Sequence, residues 1–312
     1  MTTTISPVRA SDRREQALGA LAVAGVVVAF SLSSTLVKRA HSPGVLLAFW
    51  RMATVSVVWN GYLWSTGRRV ALRHVRQALI PGICFGLNLA IFFAGATHNS
   101  VANAALIGSL APFVIVPLGA RLFGEYFDAR ALLFALVAFG GVAVVLFSAS
   151  PNGDASARGN LFGLIAMVLW TAYIASTRYF RRDMDVATFM ATISPIGAVA
   201  VLPLAIANGG VASMSRTGWT YMIVLAALTG VAAHGLNVFA QKSIQIGTIG
   251  IVQVIQPALA VVWSLLLLGE RLNGRQLAGL AVLTAGLLAF LLLNQRGDAA
   301  ARIGVPEVSL ER

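Results

Sequence analysis

Apolar residues in this chain form long unbroken runs, separated by short polar breaks rich in glycine and proline. Ten runs approach the roughly 20 residues that a helix needs to cross a bilayer: 17–37, 44–65, 77–97, 100–120, 130–148, 159–178, 186–207, 218–240, 245–268 and 274–293. Between them stand His41-Ser42-Pro43-Gly44, Ser150-Pro151-Asn152-Gly153, Asn208-Gly209-Gly210 and Asn273-Gly274, residue types that turn a chain. The pattern predicts an all-α polytopic membrane protein with ten transmembrane helices. It divides into a tail (1–16), a five-helix unit (17–148), a linker (149–158), a second five-helix unit (159–293) and a second tail (294–312). The first run is too long for a cleaved signal, lacks an Ala-x-Ala site and is followed by Lys38-Arg39.

Composition removes the soluble alternatives. Hydrophobic residues make up 58% of the chain and charged residues 11%, with a mean hydropathy of +0.81. A soluble surface needs about a quarter charged residues. The net charge of +12 would suit nucleic acid, but no stretch offers a solvated basic face interleaved with aromatics, so no nucleic-acid partner is expected. The basic residues instead mark topology. Of 23 Lys and Arg, only Lys38, Arg39, Arg158, Arg216, Arg271 and Arg275 fall on one side; Arg51 lies inside a run, and the other sixteen gather with the termini. The positive-inside bias predicts that both termini are cytoplasmic, in a bacterial inner membrane. The single cysteine, Cys84, rules out an intramolecular disulfide and reads as a small packing residue.

The chain also repeats itself. A shift of 145 residues lays 101–147 over 246–292 without a gap, matching Pro112 to Pro257, Gly124-Glu125 to Gly269-Glu270, Arg130 to Arg275 and Gly141 to Gly286. A weaker echo at a shift of 140 sets Lys38 against Arg178. Five helices per repeat is an odd number, so the second repeat must enter the membrane from the opposite side. Inverted repeats of this kind are a common plan of secondary transporters, whose substrate sites lie near the midplane.

These features resemble the drug/metabolite transporter superfamily, and its EamA-type ten-helix transporters in particular. The resemblance rests on two five-span halves, each with an apolar helix carrying a proline, then Gly-Glu, a short turn and a closing helix with glycine. Phe49-Trp50-Arg51, early in the second run, is also similar. It extends over roughly 17–293 and implies that runs one to four and six to nine surround a central cavity, with runs five and ten outside.

Polar side chains inside a bilayer are costly and tend to face the bundle interior. Gly230, His234, Asn237 and Gln241 share one face of run eight; Gln253, Gln256 and Ala260 form a stripe in run nine around Pro257. Trp170, Tyr173 and Thr177 do the same in run six, while Asn88 and Asn103 lie in runs three and four. The candidate substrate-binding set is therefore Gln253, Gln256, Trp170, Tyr173, His234, Asn237, Asn88 and Asn103. The asparagines have a structural alternative in bonds between helices, and His234 in neutral hydrogen bonding. Pro112 and Pro257 are expected to kink their helices and are hinge candidates; Gly82 and Gly86 read as helix packing. Arg51 sits about 10 Å into its run and can snorkel, bind a substrate carboxylate or pair with an acid. Glu270, the one acid at the outer ends of the cavity helices, is the expected partner, forming an ion pair that helps to close an outer gate.

None of the eleven acidic residues falls in mid-membrane, so cation–proton exchange through an intramembrane carboxylate is excluded and a neutral, zwitterionic or anionic substrate is favoured. No protease, hydrolase or nucleotide-binding motif is present, and no metal or cofactor is expected. The expected activity is alternating-access transport of a small metabolite. An amino acid or related compound moving outward is what the resemblance implies, and uptake of a vitamin-like or nucleoside-like aromatic compound is the rival. A membrane enzyme acting on lipid would need a His/Asp/Ser cluster that the chain lacks. The partners are the substrate and the lipid bilayer; the sequence sets no oligomeric state, and a monomer is compatible with it.

Overall fold

The protein is described here from a computed structural model, which covers residues 10–123, 128, 130–147, 156–181, 184–210, 212, 214–240, 255–270 and 273–303. Among the described residues every regular element is helical: α1 (Ala10–Ser31), α2 (Ser33–Arg39), α3 (Gly44–Ser65), α4 (Leu72–Thr97), α5 (Val101–Gly108), α6 (Ala111–Phe123), α7 (Ala131–Phe147), α8 (Ala157–Phe180), α9 (Val186–Ala207), α10 (Arg216–Leu225), a π-helical stretch (Ala226–Ala233), α11 (His234–Ala240), α12 (Gln256–Leu268) and α13 (Gly274–Ile303). The helices start where the sequence supplies caps. Ser100, Ser156, Asp185 and Ser215 each accept a bond from the backbone N–H three residues on, satisfying a donor that the first turn leaves open.

Among the described residues seven helical stretches are long and apolar enough to cross a membrane. The other three expected spans fall short for separate reasons. α3 is long enough, but Arg51, Asn60 and three tryptophans dilute its apolar character; of α7 and α12 the described residues include 17 and 13. The outward faces are apolar, with Leu21, Val57, Leu136, Val199 and Leu266 among many large side chains left exposed. An aqueous surface would not be built this way. Two runs are less regular than expected. The fourth is not a kinked helix but two helices, broken at Ser109–Leu110, because Pro112 in the first turn of α6 has no N–H to donate to the Gly108 carbonyl. The eighth passes through the π-helical stretch before His234.

The main core joins α3, α4, α8, α9 and α10 through buried Leu46, Met52, Phe85, Phe93, Phe189 and Met190. Glycines set the distances. A Cβ on Gly86 would lie 2.5 Å from the Gly197 carbonyl oxygen, and one on Gly82 would lie 2.7 Å from the Ile196 side chain, so α4 and α9 cross almost backbone to backbone. Gly82 and Gly86 are thus packing residues, as the sequence suggests. Across the same core Asn60 Nδ2 donates to the Ala191 carbonyl at 2.9 Å. At the mouth of the α3–α9 pair Arg68 binds Asp185. Burial raises the Asp185 carboxyl, but the Thr188 amide and Arg68 outweigh it and hold the group below the usual carboxylate range.

A second core pairs α7 with α13, and its contacts are reciprocal. A Cβ on Gly141 would meet Gly279 O and the Leu283 backbone; one on Gly286 would meet Phe134 O and the Ala138 backbone. Adding 145 to the first residue of each pair and subtracting 145 from the second converts one set into the other. The same exchange of roles holds elsewhere: α8 packs on α4 as α1 packs on α11, and α8 packs on α5 and α6 as α1 packs on α12.

Candidate substrate site and gate

Four elements converge on one aromatic cluster. Tyr173 from α8 stacks on Phe85 from α4, with ring centroids 4.8 Å apart. His234, at the start of α11, meets Phe85 edge-on at 4.8 Å and Phe30 of α1 at 5.0 Å. Trp170 lies 5.3 Å from Tyr173 and 6.4 Å from His234. Three expected site residues, Trp170, Tyr173 and His234, therefore come together, and Phe30 and Phe85 join them unforeseen. Sixteen phenylalanines in an apolar chain give no hint which two matter. Such a wall offers planar, polarisable surface with one hydrogen-bonding imidazole.

The amides divide. Asn88 Nδ2 donates to the Ala166 carbonyl at 2.6 Å and so ties α4 to α8, its structural alternative. Asn103 is wholly buried, and neither amide atom has a partner. The half-buried Gln256 also carries an unpartnered buried Nε2. Asn237 is buried on α11. Gln253 and Gln241 lie outside the described residues. Pro257 is buried in the first described turn of α12, and the stretch before it, 241–254, is likewise outside, as are Gly124 and Glu125.

Arg51 and Glu270 do not pair as expected. Arg51 is 2% exposed. Its Nε donates to Thr229 Oγ1 at 3.0 Å and to the Leu225 carbonyl at 3.4 Å, and the guanidinium lies 5.9 Å from the Phe93 ring centre. Glu270 is instead engaged by Lys38, at 2.5 Å, and by the Val101 N–H at the start of α5, at 3.2 Å. Depth along the helices does not decide the pairing, because direction around them separates the two side chains. The last turn of α2 faces Glu270, while Arg51 turns toward the π-helical stretch. Local geometry explains the aim of Glu270. Gly269 ends α12 in a left-handed conformation (φ 71°), and the Glu270 amide returns to the Ser264 carbonyl, so the carboxylate swings back over the helix end. Arg39 adds bonds to the Leu267 carbonyl. Together Lys38, Arg39, Glu270 and Val101 lace α2, α12 and α5 into a latch at one end of the bundle. A recess of about 310 Å³, bounded by Val37, Lys38, His41, Ser42, Pro43 and Thr97, opens beside it.

Helices of this length, an apolar exterior, an aromatic interior and a polar latch at one end are the features of a membrane carrier. Residues 17–147 and 157–292 each match the EamA-like transporter family. The chain belongs to the EamA-like transporter family. This transporter is similar to the riboflavin transporter of Brucella anthropi, at 25% identity over 68% of this chain and 75% of that protein. It is also similar to the threonine/homoserine exporter RhtA of Salmonella typhimurium, at 20% identity over 91% and 94% of the two chains. A solved crystal structure shares its fold, with a TM-score of 0.64, 19% identity and coverage of 91% of this chain and 98% of the other. The EamA-like transporter described here is thus a multi-pass membrane protein, and the drug/metabolite transporter superfamily is its wider group.

Proposed function

We propose that this protein is a secondary transporter of ten transmembrane helices in two inverted five-helix repeats, working by alternating access in a bacterial inner membrane. The reciprocal Gly141 and Gly286 contacts across α7 and α13 are the observation that carries the repeat reading, because an in-plane twofold axis produces such pairs. The two separate family matches support the same division. In this reading 17–148 and 159–293 are the repeats, α7 and α13 pack outside the cavity, and both termini face the cytoplasm. The latch of Lys38 and Glu270 then closes the outer side. The substrate is a small neutral, zwitterionic or anionic metabolite, an amino acid or related compound moved outward. The near-full-length similarity to a threonine/homoserine exporter supports that class. A second reading, uptake of an aromatic vitamin-like compound, is favoured by the cluster around His234 and by the similarity to a riboflavin transporter.

Two experiments test this. A reporter fused after Arg312 is expected to be cytoplasmic and one inserted at Asn152 to be outside; both on one side would rule out the ten-span topology. Trp170→Ala and Gln256→Ala are expected to lower flux by about tenfold, the effect of losing roughly 1.4 kcal/mol of binding, with membrane insertion unchanged. Wild-type flux in both variants would assign these side chains to packing.

A further inference from the structure

Arg51 is the only Lys, Arg, Asp or Glu among the buried side chains of the described residues. Its Nε is satisfied by Thr229 and Leu225, yet Nη1 is buried without any partner. Among the described residues no carboxylate bonds to it: Glu270 is held by Lys38 and Asp185 by Arg68. A guanidinium cannot lose its proton to escape this situation, and an uncompensated charge at membrane depth is expensive. The surroundings are arranged to admit it rather than to neutralise it. Thr229 belongs to the π-helical stretch, a distortion often found at functional sites. A Cβ on Gly230 would clash with Val55 at 2.4 Å and would lie in ordinary contact with Arg51 Nε at 3.6 Å, so α3 and the π-helical stretch approach closely beside the guanidinium. Four residues beyond Gly230, which lies against Arg51, stands His234 at the centre of the aromatic cluster.

We infer that Arg51 is the anion-binding residue of the transport site, that its free Nη1 receives a carboxylate, and that the rest of the ligand lies against Phe85, Trp170 and Tyr173. This rests on the transporter reading and narrows it: the substrate carries a carboxylate, as a zwitterion or a monoanion. One interior cation suits a single negative charge better than a dianionic phosphate, which draws several cations or amide donors. In the conformation described Arg51 is closed off from the surface.

The test uses the full-length protein purified in detergent, its thermal unfolding followed with and without L-threonine, L-phenylalanine, benzoate and 2-oxobutanoate, each compared with its methyl ester. Wild type is expected to gain about 3 °C or more from at least one acid and nothing from the matching ester. Arg51→Gln, relieved of an unpaired charge, is expected to unfold no lower than ligand-free wild type and to respond to neither, and Arg51→Lys to keep a weaker response to the acid. Two results overturn the inference: esters that stabilise wild type as well as the acids do, or an Arg51→Gln protein that unfolds well below wild type, which would make the guanidinium a structural anchor of Thr229 and Leu225. Flux in proteoliposomes separates this outcome from the parent reading. Transport without acid–ester discrimination removes the role of Arg51 and leaves the carrier, whereas acid-specific stabilisation without any flux removes the carrier and leaves the site.

Discussion

Reversing one charge of the latch, by Glu270→Lys or by Lys38→Glu, is expected to reduce transport at least tenfold, and exchanging both is expected to restore a substantial part of it. Both side chains are mostly buried, at 15% and 18% exposure. Two like charges about 4 Å apart at an effective dielectric of 20 repel by about 4 kcal/mol. The conformation in which α2, α5 and α12 meet would then be all but depopulated, and a carrier that cannot close one side cannot complete its cycle. The exchange restores attraction but places Lys at position 270 beside the Val101 N–H, which needs an acceptor; recovery is therefore partial. Vesicle uptake by the two single variants and the double variant reads the outcome directly. Equal loss in all three would mean that the ion pair contributes nothing to closure.

Gly86→Leu is expected to prevent stable folding, and Gly197→Leu to do the same. A Cβ on Gly86 already lies 2.5 Å from the Gly197 carbonyl oxygen, and one on Gly197 lies 2.3 Å from Met52 Cε with Gly82 O and Gly86 Cα at 3.2 Å. A leucine at either position can therefore enter only if α4 and α9 separate along the main core. Overpacking of a well-filled interior costs about 1–3 kcal/mol even where side chains can move aside, and here backbone would have to move. Gly61→Ala supplies the control, because no atom lies within 4 Å of its Cβ and alanine is the better helix former. Detergent extraction followed by size-exclusion chromatography should return monodisperse Gly61→Ala protein and aggregate for the other two. A monodisperse Gly86→Leu protein would mean that the α4–α9 crossing is looser than the glycines imply.

The helices were legible because bilayer-length apolar runs have one main use, and the Gly-Glu pair because a helix-ending glycine followed by a rare acid stands out in so apolar a chain. Gly82 and Gly86 were legible for the same reason, as small residues one turn apart. The break at Ser109–Leu110 could be placed only near Pro112, since a proline states that a bond is missing but not how the chain responds. The π-helical stretch left no trace in Ala226–Ala233, a sequence that fits an ordinary helix. Lys38 read as a topology marker, because a basic residue at a helix end already has that explanation; its partner appeared only when α2 and α12 were brought together. The Arg51–Glu270 expectation failed from the same ignorance, since position along a helix follows from residue number while direction around the bundle depends on packing. Phe30 and Phe85 were hidden by abundance.

The most direct test of the carrier reading is uptake and counterflow of a radiolabelled metabolite panel, spanning amino acids, carboxylic acids and aromatic vitamins, in proteoliposomes holding the purified full-length protein. Saturable flux of at least one small neutral, zwitterionic or anionic compound is expected, accelerated by unlabelled compound on the opposite side and strongly reduced by Glu270→Lys. Flux of the whole panel no faster than in protein-free liposomes would contradict it.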